Sequence, residues 1–494
     1  MLADFWNFGK SLNSFWDNNL LFRRSFIVIF SSVAVFGSMA ACTLPGFRGG
    51  AGNTTTTLGV LKRDPSVRQD GFGSVKFIKN QADCSLNPCL SALSGLKMLQ
   101  TDEQTIYFLS RDKGLFRTTD GGRLWERLYF FPINNIQNTK IIQNDKGEKS
   151  TVNKTPEEIQ SEVDAKIAQN DSFIASDFTV DLREPNRIYV SGLYEGVGKI
   201  LRSVDSGVSF REIYGEVEKI SVKMVAVHPQ SSQRVFGILD KGALIRSMDG
   251  GVTWQKVRSF KEVPIQMGFV PEFGNLFFAL FPTLGLATSK DDGETWQTQE
   301  LTRQSSQIGE TQNRDKFEAN PFANKEKFGK YEKVIPVVRG TRYLANQNTN
   351  QNQNSAENST SSGFQIPFLN SQNSVATVER VEQPWLLVAD RQVWFAGSPT
   401  DDFTKLVLPV QAEQYNILDA APDPRVGLDK ILVSVDNKIF ETQNRGQSWS
   451  LKDKIQLATP IGNIGQILID KNNSEIIYLM LIDNKAKRSN GFGL

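Results

Sequence analysis

Short apolar runs rich in β-branched and aromatic residues recur along this chain, separated by clusters of Gly, Asp, Asn and Ser. The strongest are "TIYFLSR", "RIYVSGLY", "RVFGILD", "NLFFALF" and "KILVSVD". A shorter β-prone run follows each of them: "GLFR", "KILR", "ALIR", "GLAT" and "KIFE". Then comes a polar turn, and after it an aromatic residue opens another strand, as in "TWQKVRSF". A further strand precedes the strongest run, for example "VKMVAVHP". Apolar runs this short, bounded by turn residues, predict strands rather than helices. The unit is four antiparallel strands, with the polar turn joining the third to the fourth. Repeated, it is the blade of a propeller.

The turns align residue by residue. They read "TTDGGRLW" from Thr118, "SVDSGVSF" from Ser203, "SMDGGVTW" from Ser247, "SKDDGETW" from Ser289 and "TQNRGQSW" from Thr442. The acidic position is Asp120, Asp205, Asp249 and Asp291, with Asn444 as the departure. A carboxylate there can accept hydrogen bonds from backbone N–H groups two or three residues on and so close the loop. The glycines Gly122, Gly207, Gly251, Gly293 and Gly446 supply a positive φ that side-chained residues resist. The aromatics Trp125, Phe210, Trp254, Trp296 and Trp449 re-enter a strand and bury a large ring between blades.

Spacing fixes the period. Asp205 and Asp249 lie 44 residues apart, and Asp249 and Asp291 lie 42 apart. The longer gaps hide insertions. One, at about 133–172, contains "TPEEIQSEVDAKIAQ", with Thr155 as N-cap, Pro156 at the first helical position and Glu158 closing a capping box. The other, at about 300–378, contains the Asn/Gln/Ser-rich "QNTNQNQNSAENSTSSGFQ", whose composition predicts disorder. A blade without the turn pattern follows in "QPWLLVADRQVWFAGSPTDDFTKLVLP", carrying Trp385 and Trp394. A last unit from Ile464 stops before its fourth strand, and "LGVLKRDPS…GSVKFIKN" near the N-terminus can supply the missing one. The expected fold is all-β: a single propeller over 58–494 with about seven four-stranded antiparallel blades, six and eight being the alternatives.

Ahead of the repeats the pattern changes. "RRSFIVIFSSVAVFGSMAACTLPGF" runs positive, apolar, then small, the order of a secretory signal. Met39-Ala40-Ala41-Cys42 matches a lipobox except for Met39, which makes Cys42 a candidate lipidation site. Ser25 to Phe47 carries no charge and is also long enough to span a bilayer as a retained anchor. Both readings stand: residues 1–41 as signal peptide or membrane anchor, 42–57 as linker, and the rest extracytoplasmic and tethered to the cell membrane. In such a compartment Cys84 and Cys89 of "CSLNPC" are expected to pair as a local disulfide.

Composition narrows the chemistry. Lys+Arg 56 against Asp+Glu 54 gives a net charge of +2, without the basic runs that track nucleic acid. The single histidine, His228, ends a predicted strand and reads as structural, so a His-built metal site or a Ser-His-Asp triad has one ring to work with. The Gly-rich turns lie between strands and open no helix, which disfavours a phosphate loop. One or two acids per turn are too few for a calcium cage. No catalytic residue, metal or cofactor is expected.

With these turns the chain resembles the Asp-box (BNR) repeat propellers. It is similar as a whole to photosystem II stability/assembly factor-like proteins and, more distantly, to sialidases and sortilin. The resemblance covers about residues 58–494 outside the insertions. It implies that the boxes are structural hairpins away from any active face. Sialidases add convergent arginines, one in an Arg-Ile-Pro motif, and a Tyr/Glu nucleophile pair; here Arg187-Ile188 is followed by Tyr189. The assembly factors are often lipoproteins that hold membrane-protein intermediates. The expected function is a membrane-tethered, non-enzymatic protein-binding or assembly scaffold. The alternative is an envelope glycan-binding protein or a sialidase-like glycoside hydrolase. The partners expected are the membrane, through lipid or the N-terminal helix, and an envelope protein or glycan.

Overall fold

A computed structural model describes residues 59–65, 77–79, 93–133, 136–145, 147–270, 276–304, 325–337, 384–398, 400–409, 417–454 and 462–483. The chain divides into two units, Met1–Thr54 and Thr55–Leu494, and every described residue belongs to the second. Cys42, Cys84, Cys89, the apolar N-terminal run and the Asn/Gln-rich stretch lie outside the described residues.

Seven four-stranded antiparallel sheets follow one another as the blades of a β-propeller. Blade 1 comprises Gly95–Gln100, Ile106–Ser110, Gly114–Thr118 and Glu126–Leu128. Blade 2 comprises Ile174–Val180, Ile188–Tyr194, Val197–Ser203 and Arg211–Gly215, and blade 3 Val222–His228, Ser231–Leu239, Ala243–Ser247 and Gln255–Ser259. Blade 4 comprises Gln266–Val270, Leu276–Phe281, Gly285–Ser289 and Gln297–Gln299. Blade 5 has Tyr331–Pro336, Trp385–Ala389, Gln392–Ala396 and Thr404–Leu406, and blade 6 Ile417–Asp423, Gly427–Val435, Lys438–Thr442 and Ser450–Lys454. In each of these the chain order is the sheet order.

Blade 7 is assembled from both ends of the ring. Gly462–Ile469 and Ile477–Asp483 form its first two strands; Gly59–Arg63 pairs with the second and Phe77–Lys79 adds the fourth. The N-terminal piece therefore supplies two strands, not the one expected from the sequence. The run from Ile464 ends as a hairpin because its apolar second strand is already covered, Leu61 lying opposite Leu479. A second correction concerns blade 5, whose first strand, Tyr331–Pro336, lies inside the range read as an insertion. Val334 alone of its aliphatic residues is fully buried, too short a signal to stand out against polar flanks.

Second strands carry the strongest sequence signal because they sit mid-blade with neighbours on both faces. Ile106–Ser110 and Trp385–Ala389 are buried at every position, which replaces alternation with a continuous apolar run. First strands line the centre and are joined across blades by polar side chains. Asp177 pairs with Lys97 at 2.7 Å and accepts the Val225 amide at 3.1 Å. Gln266 exchanges two hydrogen bonds with the Val334 backbone, and Gln466 does the same with Met98. Fully buried Asp419 pairs with Lys333 and accepts the Ile467 amide at 2.7 Å. β-Bulges just before Lys97, Lys333, Asp419 and Gln466 turn these side chains toward the next blade.

The insertion after blade 1 holds a two-stranded ribbon, Thr139–Gln143 with Lys149–Asn153, and helix α1, Pro156–Asp171. Thr155 Oγ1 accepts the Glu158 amide at 3.3 Å, and the Glu158 carboxylate accepts the Thr155 amide at 2.9 Å. A second ribbon, Thr302–Gln304 with Lys325–Lys327, follows blade 4.

Candidate functional site

The five repeated turns share one hydrogen-bond scheme, clearest in blade 3. Buried Ser247 Oγ accepts the Gly251 amide at 2.7 Å and donates to Asp249 Oδ1 at 2.8 Å. Asp249 Oδ1 accepts the Val252 and Thr253 amides, and Oδ2 accepts the Thr253 hydroxyl at 2.5 Å. The carboxylate thus reaches three and four residues on, one farther than sequence suggests, because two successive left-handed residues lengthen the loop: Gly250 at φ 73° and Gly251 at φ 97°. The Thr253 hydroxyl and amide, with Ser247, hold the Asp249 carboxyl well below its ordinary value. Asp291, bonded by Thr295 and Ser289, is held down likewise. Asp120 and Asp205 are pushed up by burial but end below the ordinary value through the hydrogen bonds they accept. Asn444 keeps the loop with its amide group: Oδ1 accepts the Ser448 amide at 2.9 Å, while Nδ2 donates to Ser448 Oγ at 2.8 Å.

The glycines have a second duty. A Cβ on Gly207 would lie 2.6 Å from Leu128 Cδ1 in blade 1, and one on Gly251 2.6 Å from Ile213 Cδ1 in blade 2. The counterpart distances are 2.8 Å to Leu244 for Gly293 and 2.6 Å to Leu406 for Gly446, while Gly122 approaches Tyr478 at 3.4 Å. Each turn is thus pressed onto the preceding blade. The aromatics do the same: Trp125 packs among Phe108, Tyr478 and Met480. Trp254 Nε1 donates to Ile213 O at 2.8 Å, Phe210 meets Phe130 edge-on, and Trp296 and Trp449 pack in the clusters between their own and the preceding blades. Trp385 and Trp394 are buried in the core of blade 5.

Sequence reasoning missed the arginine before the turn. Arg117 Nη1 donates to Ser206 O, Arg202 Nη1 to Gly250 O, and Arg246 Nη1 to Asp292 O at 3.0 Å, each reaching the next blade's turn. The signal was present as Arg-Ser/Thr in "GLFR", "KILR" and "ALIR". His228 is buried against Phe269, accepts the Gln230 amide on Nδ1 and lies 3.8 Å from Asp292. Arg187 pairs with Glu184 at 2.8 Å and Tyr189 is buried. A Tyr–Glu pair does occur, Tyr214 Oη donating to Glu216 at 2.5 Å, but on the outermost strand of blade 2. Burial and that carboxylate push the Tyr214 phenol up, away from ionisation. Among the described residues no cluster of three or more His, Cys, Asp or Glu could hold a metal.

One cavity of about 310 Å³ opens on the flank between blades 1 and 2. Its walls are Arg117, Glu126, Arg127, Leu128 and Tyr129 from blade 1, Pro132 and Ile133 at the root of the insertion, and Gly207 to Phe210 of the blade 2 turn. The insertion builds its side wall. Asn170 exchanges two hydrogen bonds with the Phe131 backbone, both 2.9 Å, and Lys166 Nζ donates to Pro132 O at 3.2 Å. Asp171, the last residue of α1, receives Arg127 Nη2 and Lys113 Nζ, each at 2.5 Å. The Arg127 side chain is only 4% exposed, and its Nε and Nη1 have no hydrogen-bond partner.

Neither a scan of protein-family models nor a search of curated proteins returns a match. Among solved structures the chain is similar to YCF48 bound to D1 peptide, at 13% identity over 78% of this chain and 93% of that one, with a TM-score of 0.44. It is also similar to a GH74 enzyme of Niastella koreensis, at 13% identity over 79% of this chain and 52% of that one, with a TM-score of 0.47. The chain therefore spans about half of the length of that enzyme. YCF48 from Cyanidioschyzon merolae is similar at 12% identity over 63% of this chain and 95% of that one, with a TM-score of 0.31.

The turns of blades 1 to 3 present exposed apolar tips. Leu124 of blade 1 is 62% exposed, Val208 of blade 2 76% and Val252 of blade 3 78%. Val208 and Val252 occupy the sixth turn position, which is Arg123 in blade 1, Glu294 in blade 4 and Gln447 in blade 6, while Leu124 stands at the seventh. These apolar tips fall on three consecutive blades, and Val208 is the one in the cavity wall.

Proposed function

We propose that this chain is a membrane-tethered, extracytoplasmic propeller that acts as a non-enzymatic protein-binding scaffold. The observation that carries the reading is the run of exposed apolar tips Leu124, Val208 and Val252 on the turns of blades 1 to 3, Val208 standing in the wall of an open flank cavity. Exposed apolar side chains repeated on adjacent blades of a rigid ring suit the docking of a protein surface. The tether is the N-terminal apolar run, as signal with lipidated Cys42 or as retained anchor. Glycoside hydrolysis has less support. The turn carboxylates are engaged within their own loops, and the Tyr214–Glu216 pair sits on an outer strand with its phenol held neutral.

Chemical crosslinking of the tagged full chain in intact membranes, followed by mass spectrometry, tests the proposal. A stoichiometric protein partner that is lost in a Val208→Asp, Val252→Asp variant supports it. Recovery of the chain alone, or with envelope glycan, contradicts it.

A further inference from the structure

One position in the central belt of the ring breaks its pattern. The residue after the first-strand bulge, with its counterpart in blade 4, is Lys97, Asp177, Met224, Gln266, Lys333, Asp419 and Gln466 in blades 1 to 7. Six are polar, and each reaches the first strand of the next blade. Asp177, Gln266, Asp419 and Gln466 accept the amide that follows this position there, from Val225, Val334, Ile467 and Met98. Lys97 and Lys333 instead pair with Asp177 and Asp419. Met224 of blade 3 makes no such link.

The group left unanswered in blade 4 is the Met267 amide. Ile265 N donates to Leu280 O and Gln266 is registered with Leu280, so the Met267 amide points away from the second strand. Among the described residues no side chain accepts from it. The centre of this seam is apolar: half-buried Met224, Met267 and Phe269 pack on one cluster with Phe236 and Phe277. Its polar ties lie at the turn end, where Arg234 meets Asp292 at 2.8 Å and Arg246 meets Glu294 at 2.6 Å.

Oxidation would supply the missing acceptor. A methionine sulfoxide carries its oxygen on the δ atom, as many bonds from the backbone as glutamine Oε1. Gln266 and Gln466 show that an oxygen at that reach caps the next blade's amide, at 3.0 and 2.7 Å. We propose that Met224 is a reversible oxidation site whose sulfoxide closes the belt between blades 3 and 4. The oxidant is a hydroperoxide. The sulfur lone pair attacks the hydroxyl oxygen of the peroxide, an S–O bond forms as the O–O bond breaks, and the proton passes to the departing water or alcohol. Sulfur gives up the two electrons that the peroxide gains. Sulfoxidation ordinarily disrupts apolar packing, and reductases reverse it. Here the new oxygen meets a donor without a partner, so the modification tightens the seam.

The test treats the full chain in detergent micelles with hydrogen peroxide, in a Met248→Leu background that removes the exposed turn methionine. Peptide mass mapping reads which sulfur is oxidised. Hydrogen exchange resolved to single residues reads the Met267 amide. Conversion of Met224 should slow that exchange roughly threefold to tenfold, as one net hydrogen bond would, with the denaturation midpoint unchanged or raised. Met224→Gln should do the same without peroxide, Met224→Leu should abolish the response, and methionine sulfoxide reductase should restore the original exchange. The proposal is overturned if Met224 stays reduced under peroxide that fully converts Met248 in the parent chain. It is equally overturned if Met267 exchanges no more slowly once Met224 is oxidised, or if a folded Met224→Gln variant exchanges like the parent. Those results concern one seam and leave the scaffold reading intact, which falls only if membrane crosslinking finds no partner.

Discussion

The third-to-fourth strand turns of blades 3 and 5 do the same job by different means. In blade 3 the loop satisfies itself: Ser247 and Asp249 absorb the amides of Gly251, Val252 and Thr253, the Thr253 hydroxyl donates to Asp249, and Arg202 of blade 2 takes the Gly250 carbonyl. Among the described residues of the blade 5 turn at Gly397–Asp402, Asp401 N donates to Ser398 O at 3.1 Å and the Ser398 and Thr400 hydroxyls bond each other. It is held from outside, Asp402 accepting the Thr302 hydroxyl at 2.6 Å and Phe403 N donating to Thr302 O at 2.9 Å. A closed turn makes a blade self-sufficient. An open one needs a neighbouring segment, here the ribbon that follows blade 4.

Glycine substitution should break this contrast most sharply. Gly251→Ala meets both a positive φ and Ile213 at 2.6 Å, and should cost about 2–4 kcal/mol in chemical denaturation. Gly397 has an ordinary φ and its Cβ would meet only Asp401 at 3.3 Å, so Gly397→Ala should change stability by less than about 1 kcal/mol. Next in size is the buried hydroxyl. Ser247→Ala strands the Gly251 amide and should cost about 1–3 kcal/mol, against about 0.5 for Ser398→Ala. Hydrogen exchange sharpens the same point without mutation: the amides of Gly251 and Thr253 should exchange more slowly than that of Thr400.

Acid sensitivity separates the boxed turns further. Asp249 and Asp291 have folded values depressed below 3.8. Such groups contribute stability that is complete above the unfolded value and is lost as pH falls through the folded one. Denaturation midpoints of the parent chain should therefore fall below about pH 4. The Asp249→Asn, Asp291→Asn double variant should lose less, because neither amide takes up a proton and Asn444 already shows the loop forming on one. Smallest of all is Asn444→Asp, which should shift stability by less than about 0.5 kcal/mol near neutral pH, since a carboxylate there simply reverses the hydrogen bond with Ser448.

The same contrast explains what could be read from the chain. The closed turns were legible because each concentrates Ser/Thr, Asp and Gly within a few positions, and the second strands because burial on both faces makes them continuously apolar. The capping box at Thr155 and Glu158 was legible for the same local reason. Blade 5 was partly hidden, its first strand Tyr331–Pro336 showing neither signal. The two-strand closure of blade 7 rests on pairing between Leu61 and Leu479, which no local pattern reports. Hardest to see was the flank cavity. It needs Arg127, Pro132 and Val208, which belong to a strand end, an insertion root and the next blade's turn, and only folding brings them together.

The most direct test of the central claim places a photo-crosslinking residue at Ile133, in the wall of the cavity, or at exposed Leu451 on the outer strand of blade 6. Both chains are irradiated in intact membranes. A discrete protein adduct from position 133 and none from 451 is the result expected of a ring that docks its partner on the apolar sector. Equal labelling from both positions, or an adduct from 451 alone, would contradict it.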